Sequence, residues 1–354
     1  MGKIYLFIIV FFTSIAIYFS FFVDSKLVVE KDEEQIDKSL AVMESETFTI
    51  RNNSRNKLTD DGLHSFIGQP ITYLEKNLGE PVRIDKSAYD YDWWIYSGHL
   101  ENGYLQVGVG DEKVVSVYVI GDENVSTAPF QLGVPYDELN ENFNFEDQVS
   151  FNVRSNSYQF NLTEEELKTR PLLYIDNIFV QLYFDTFTNQ LSSIRYLDHE
   201  TIVKHRPYSV VYRGELIEAQ PLSENEWREV EVGSSLQIYD ITNQIRKKHS
   251  LETLSWDEET AHVAYLHSED MKVNDYFSHT SPDNGELKDR LKRQEILYRL
   301  AGENIAAKYV DAIEAVEGWL NSEGHRVNLL HEDFTHLGVG VYQRYYTQNF
   351  ITPW

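Results

Sequence analysis

Cysteine is absent from all 354 positions of the chain. Disulfides, thiolate catalysis and cysteine-ligated zinc or iron–sulfur centres are therefore excluded. Positive charge is also scarce: 31 lysines and arginines stand against 57 aspartates and glutamates, a net charge of −26. Such a surface repels phosphate backbones, which argues against nucleic-acid binding. It also repels an anionic lipid surface unless cations intervene. An activated nucleophile is missing too. Ser278 and Ser322 lie near histidines in the sequence, but serines so placed more often cap a helix or hydrogen-bond locally.

What is present supports packed cores: 42 % of residues are hydrophobic and 14 % aromatic, and the length favours two domains or one large one. Residues 1–25 contain a run of 20 uncharged, mostly apolar residues, Ile4 to Val23, between Lys3 and Asp24. As a helix it reaches about 30 Å, the thickness of a bilayer core. The flanking charges place the N-terminus in the cytoplasm and the bulk of the chain outside. Retention as an anchor is favoured over cleavage as a signal peptide, because a small-residue cleavage site is poorly formed at Val23-Asp24-Ser25 and the run is long. An exported chain without cysteine points to a bacterial origin. Residues 26–58, acidic and then Ser/Asn/Arg-rich, read as a solvated linker.

Residues 59–200 carry an internal repeat. Ile67-Gly68-Gln69-Pro70 and Leu132-Gly133-Val134-Pro135 each open a short helix. Two alternating apolar strands follow in each copy, 103–109 with 114–119 and 178–184 with 191–197. Two such helix-plus-hairpin units can pair their sheets into one α+β domain. His64, His99 and His199 lack acids at useful spacing and read as packing or surface residues. Residues 201–233 read as linker with one strand at 209–212. From 234 to 354 the pattern is α/β. Ile238, Ile241 and Ile245 form a helical stripe, Ser255 with Glu258 suggests a capping box, and Ala312 to Leu320 forms another apolar face. Two strands close the chain.

The stretch from Tyr276 to His325 organises this region. It holds Tyr276-Phe277-Ser278-His279-Thr280-Ser281-Pro282, Gly302-Glu303-Asn304-Ile305-Ala306 and Trp319-Leu320-Asn321-Ser322-Glu323-Gly324-His325-Arg326. With Leu254-Ser255-Trp256-Asp257, Phe334-Thr335, Leu337-Gly338-Val339-Gly340-Val341 and Thr347-Gln348-Asn349-Phe350, these segments resemble the CAP superfamily of cysteine-rich secretory, antigen 5 and pathogenesis-related proteins, in its bacterial SCP-like branch. The region before it resembles the CAP-associated N-terminal domain. The resemblance implies an α-β-α sandwich with a cleft lined by two histidines and two acids. Carried onto this chain, His279 and His325 are the histidines and Glu303 the first acid. The second acid's place, three residues after Trp319, is taken by Ser322. Glu323 is adjacent but turned by about 100° on a helix.

Two imidazoles and a carboxylate suit a divalent cation, most naturally Zn²⁺, with open positions. Separations of 24 and 22 residues are not local metal spacings, so the metal set His279, Glu303 and His325 rests on the resemblance. The expected function is an extracellular module that binds an envelope component, a lipid or a protein ligand through this cleft, attached to the membrane only through residues 4–23. The alternative is a metal-assisted, peptidase-like hydrolase in which the metal activates water and Glu303 is the base. Beside both stands a hydrogen-bonded network that simply orders the cleft.

Overall fold

The structure, a computed structural model, describes residues 41–42, 58, 62–98, 100 and 102–354. The apolar run Ile4–Val23, most of the following linker and His99 lie outside the described residues. Among the described residues no helix is long and apolar enough to cross a membrane.

The repeat builds the first half. Each copy opens with a glycine in a left-handed conformation, Gly68 at φ 80° and Gly133 at φ 84°. This is a backbone shape that glycine adopts without penalty. The amide of Gly68 donates to the carbonyl of Val114 at 2.8 Å and that of Gly133 to Leu191 at 2.9 Å, so each turn is tied to its own hairpin. Pro70 and Pro135 then precede helices α1 (Ile71–Leu78) and α2 (Tyr136–Phe143), and a short helix α3 (Glu164–Thr169) follows later in the second copy. The hairpins are β4 (Gly103–Gly110) with β5 (Lys113–Gly121), and β9 (Ile178–Asp185) with β10 (Gln190–Leu197). They meet at the centre of one sheet, where Val119 faces Ile194 across β5 and β10. Strands β2 (Arg83–Lys86), β3 (Asp92–Ile95) and β8 (Leu172–Ile175) extend it to seven, in the order β2-β3-β4-β5-β10-β9-β8. A second sheet, order β1-β11-β7-β6, uses β1 (Ala41–Val42), β6 (Gln148–Val153), β7 (Asn156–Asn161) and β11 (Ser209–Arg213).

Alternation along the seven strands separates two faces. Leu105, Val107, Val117, Val119, Leu182 and Ile194 pack with Leu74 and Leu139 of the repeat helices. Tyr104, Tyr118, Ile120 and Tyr183 point the other way and join the core of the C-terminal half.

That half begins earlier than its apolar stripe suggests. Residues 201–233, read as linker, hold much of α4 (His199–His205), strand β11, and the first two turns and more of α5 (Glu224–Lys248). The start of α5 is set by a capping box in which Ser223 accepts from the Glu226 amide and Glu226 from the Ser223 amide. Its first turns are mostly polar, so periodicity alone hides them. Ser255 does not cap the next helix either. It pairs with His336 in β12 (Ser255–Trp256), and Asp257 caps α6 (Glu258–Val273) through the Thr260 amide at 2.8 Å.

Strands β13 (Tyr298–Ala307), β14 (His336–Tyr342) and β15 (Tyr345–Pro353) complete a sheet of order β12-β14-β15-β13. Leu337, Val339 and Val341 share a core with Ile238, Ile241 and Ile245 of α5 and with α8 (Ala312–Leu320). Gly338 and Gly340 face the opposite side, where a Cβ would strike the α6 backbone at Ala261 and Tyr265. The result is helix, sheet, helix. Gly340→Ala is expected to push α6 off the sheet and to cost about 1–3 kcal/mol or more. Urea unfolding measures this, and an unchanged midpoint would mean α6 does not press on the sheet there.

Candidate functional site

Glu303 lies in β13, not in a turn, and its side chain is 4 % exposed. Its oxygens are both engaged. Oε1 meets His279 Nδ1 at 2.9 Å. Oε2 receives Arg290 Nη2, from the short basic helix α7 (Leu287–Arg293). Across the sheet its register partner is Asn349. With the amide turned to suit its neighbours, Asn349 donates to Oε2 at 3.2 Å. Burial pushes the Glu303 carboxyl up, but the His279 hydrogen bond and the Arg290 charge outweigh it and hold the group below its ordinary range.

His279 stands on the turn between α6 and α7 with its side chain 42 % exposed. The turn is fastened from below. Arg290 Nη1 donates to the carbonyls of His279 at 2.9 Å and Gly285 at 2.8 Å. His267 Nε2 donates to the Ser278 carbonyl at 3.0 Å, which fixes its tautomer, since a carbonyl only accepts. Burial pushes His267 down to about 4, so it is neutral near pH 7. Asp270 gathers Tyr276 and Ser281 hydroxyls at 2.6 Å each and the Asn284 amide at 3.2 Å. Partial burial opposes its charge, yet the hydrogen bonds from Ser281, Tyr276 and the neighbouring asparagines bring it down to about 2.

His325 is on the first turn of α9 (Glu323–Leu329), which begins where α8 has ended. Its Nδ1 meets Ser322 Oγ at 2.8 Å. Its carbonyl accepts from Asn304 at 3.1 Å, and Asn328 of α9 donates to the Glu303 carbonyl at 3.0 Å, tying the helix to β13. Glu323 is exposed at the start of α9. The His279 and His325 rings lie 6.4 Å apart between centroids.

The structure therefore brings His279, Glu303, Ser322 and His325 close together and leaves Glu323 exposed at the start of α9. Among the described residues no group of three His, Cys, Asp or Glu side chains is placed to hold a metal ion. Glu303 is already paired with the Arg290 guanidinium, and a carboxylate so paired has little left for a cation. What remains is a pair of imidazoles, each with Nδ1 occupied, one by a carboxylate and one by a hydroxyl. This outer-shell arrangement suits imidazoles that bind through the other nitrogen. Sequence reasoning missed Arg290 and His267. Arg290 sits among Lys288, Lys292 and Arg293 with no spacing that singles it out, and His267 is one buried position on an ordinary helix. His64 and His199 pack against Tyr196 and Tyr174 respectively.

Comparison with known proteins agrees with this architecture. Residues 67–208 match the CAP-associated N-terminal family and residues 239–352 the cysteine-rich secretory protein family, CAP. The chain is 49 % identical over 304 residues to YlbC of Bacillus subtilis, described as an uncharacterized membrane protein, covering 86 % of this chain and 87 % of that one. The chain belongs to the CAP family. Among solved structures, a Bacillus anthracis extracellular protein containing an SCP domain is 44 % identical, with a TM-score of 0.79 over 88 % of this chain and all of that one. A Staphylococcus aureus cysteine-rich secretory protein, 24 % identical with a TM-score of 0.72 over 86 % of this chain and 99 % of that one, shows the same fold. The CAP fold explains why residues far apart in sequence converge. Glu303 and Asn349 are strand neighbours, while His279 arrives on the turn before α7 and His325 on α9.

Proposed function

We propose that this CAP protein works outside the cell, at the membrane, as a binding module that takes an envelope component, a lipid or a protein ligand at the His279–His325 cleft. A divalent cation such as Zn²⁺ would be held there by the two imidazoles, with solvent or ligand atoms completing its shell. The apolar N-terminal run, the lack of cysteine and the membrane and extracellular descriptions of the relatives support the location. One observation carries the reading of the cleft: Glu303 is bound on both oxygens, so it orients His279 and is unavailable as a base. Hydrolysis with Glu303 as the base needs that carboxylate within reach of water, and for that reason it is the weaker alternative.

Calorimetric titration of the full chain with Zn²⁺, beside the His279→Ala/His325→Ala variant, tests the cation. Saturable binding that disappears in the variant is the expected outcome. Heat that is the same in both proteins would remove the two imidazoles from any metal role.

A further inference from the structure

The two cleft histidines are held differently: His279 from the CAP half alone, His325 from the CAP half and from the N-terminal half together. The contacts that fix the His279 turn come from Arg290, His267 and Glu303, all in the CAP half. His325 is different. The residue just before Ser322 and the residue just after His325 are both gripped by the end of β9 in the N-terminal half. Asn321 Nδ2 donates to the Phe184 carbonyl at 2.8 Å, and its Oδ1 accepts from the Thr186 amide at 2.8 Å and hydroxyl at 2.7 Å. Arg326 forms a two-pronged pair with Asp185, Nη1 to Oδ1 at 2.8 Å and Nη2 to Oδ2 at 2.9 Å. Asp185 is 3 % and Arg326 13 % exposed on the side chain, and the guanidinium also lies 4.7 Å from the Phe187 ring centre.

We propose that the N-terminal domain is the positioning partner of the cleft: Asp185, with the Phe184–Thr186 backbone, clamps the α8–α9 junction and so sets where His325 stands relative to His279. Asp185 and Asn321 are positioning residues that act through His325. A forked guanidinium–carboxylate pair fixes orientation as well as distance, and Asn321 adds contacts on the other side of the four-residue segment 322–325. A shift of the N-terminal domain against the CAP half would move one histidine and leave the other in place. By linkage, a ligand that spans both rings strengthens the docking of the two halves as much as docking strengthens its binding. This rests on the reading of the cleft as a binding site, and gives the N-terminal domain the part of controlling it.

The test is imidazole NMR of the full chain, labelled at histidine, with no ligand added, in wild type and Asp185→Asn. The expected result is a displacement of the His325 ring resonances beyond their linewidth, with those of His279 unmoved. Unmoved His325 resonances, or an equal displacement of both histidines, would overturn the proposal, the second because it signals general loosening. Should Asp185→Asn unfold, Asn321→Ala carries the same readout with the ion pair intact. Because no ligand is present, a chain that takes up no Zn²⁺ leaves this experiment intact, so the clamp and the binding reading fail separately.

Discussion

Arg290→Ala is expected to lower the stability of the chain by about 3–5 kcal/mol, the range for a buried ion pair broken on one side. The guanidinium is 5 % exposed and the carboxylate it meets 4 %. Removing it leaves Glu303 charged in a low-dielectric site with His279 and Asn349 as remaining partners, and its carboxyl rises toward the neutral form. The carbonyls of His279 and Gly285 lose their donor as well. Arg290→Lys is expected to recover little, since an ammonium cannot present the fork that reaches three acceptors. Glu303→Gln added to Arg290→Ala should restore part of the loss, because the uncompensated charge goes with it. Urea unfolding of the three variants gives the values. A loss under about 1 kcal/mol for Arg290→Ala, in the range of exposed pairs, would mean the pair is hydrated and Glu303 is available to other partners after all.

The difference between what was legible and what was not follows from range. The repeat was readable because Gly68 and Gly133, Pro70 and Pro135 act locally: a left-handed glycine and a fixed proline specify a turn within a few residues. The helices α5 and α8 were readable from their apolar stripes, while the sandwich came from the resemblance that the motif segments carry. His279, Glu303 and His325 came from resemblance, since separations of 24 and 22 residues hold no geometry by themselves. What stayed hidden were partners chosen by three-dimensional accident of sequence distance. Arg290 is 13 residues from Glu303, and Asp185 is 141 from Arg326. The union of the two halves was hidden for a related reason. Tyr104, Tyr118 and Tyr183 alternate with aliphatics as in any two-faced strand, and no pattern says that the tyrosine face meets α5 and α8 instead of water.

That union holds the second large effect. Glu317 of α8 is buried against the seven-stranded sheet, where its Oε1 accepts from the hydroxyls of Ser193 at 2.5 Å and Tyr118 at 3.1 Å. Its Oε2 is buried without a hydrogen-bond partner among the described residues. Lys248 of α5 and Asp185 of β9 are the charges that bear on it, of opposite sign. Burial dominates and raises the carboxyl from 4.5 to about 7. The folded protein therefore keeps this proton after the unfolded chain has released it, and stability falls as pH rises from 4.5 to about 7. The contribution is complete below 4.5 and gone above 7. At 1.36 kcal/mol per unit the change is on the order of 3 kcal/mol. Glu317→Gln removes it, so the stability difference between wild type and variant should change by that order between about pH 4 and pH 8, the variant gaining on the alkaline side. Urea unfolding at the two pH values reads it, and a difference that stays constant would place the ionised carboxylate in contact with water. The location gives the effect its consequence. The Asn321 amide and side chain both donate to the Glu317 carbonyl, at 3.3 Å and 3.2 Å, so the residue that loses its proton is one turn from the clamp on His325.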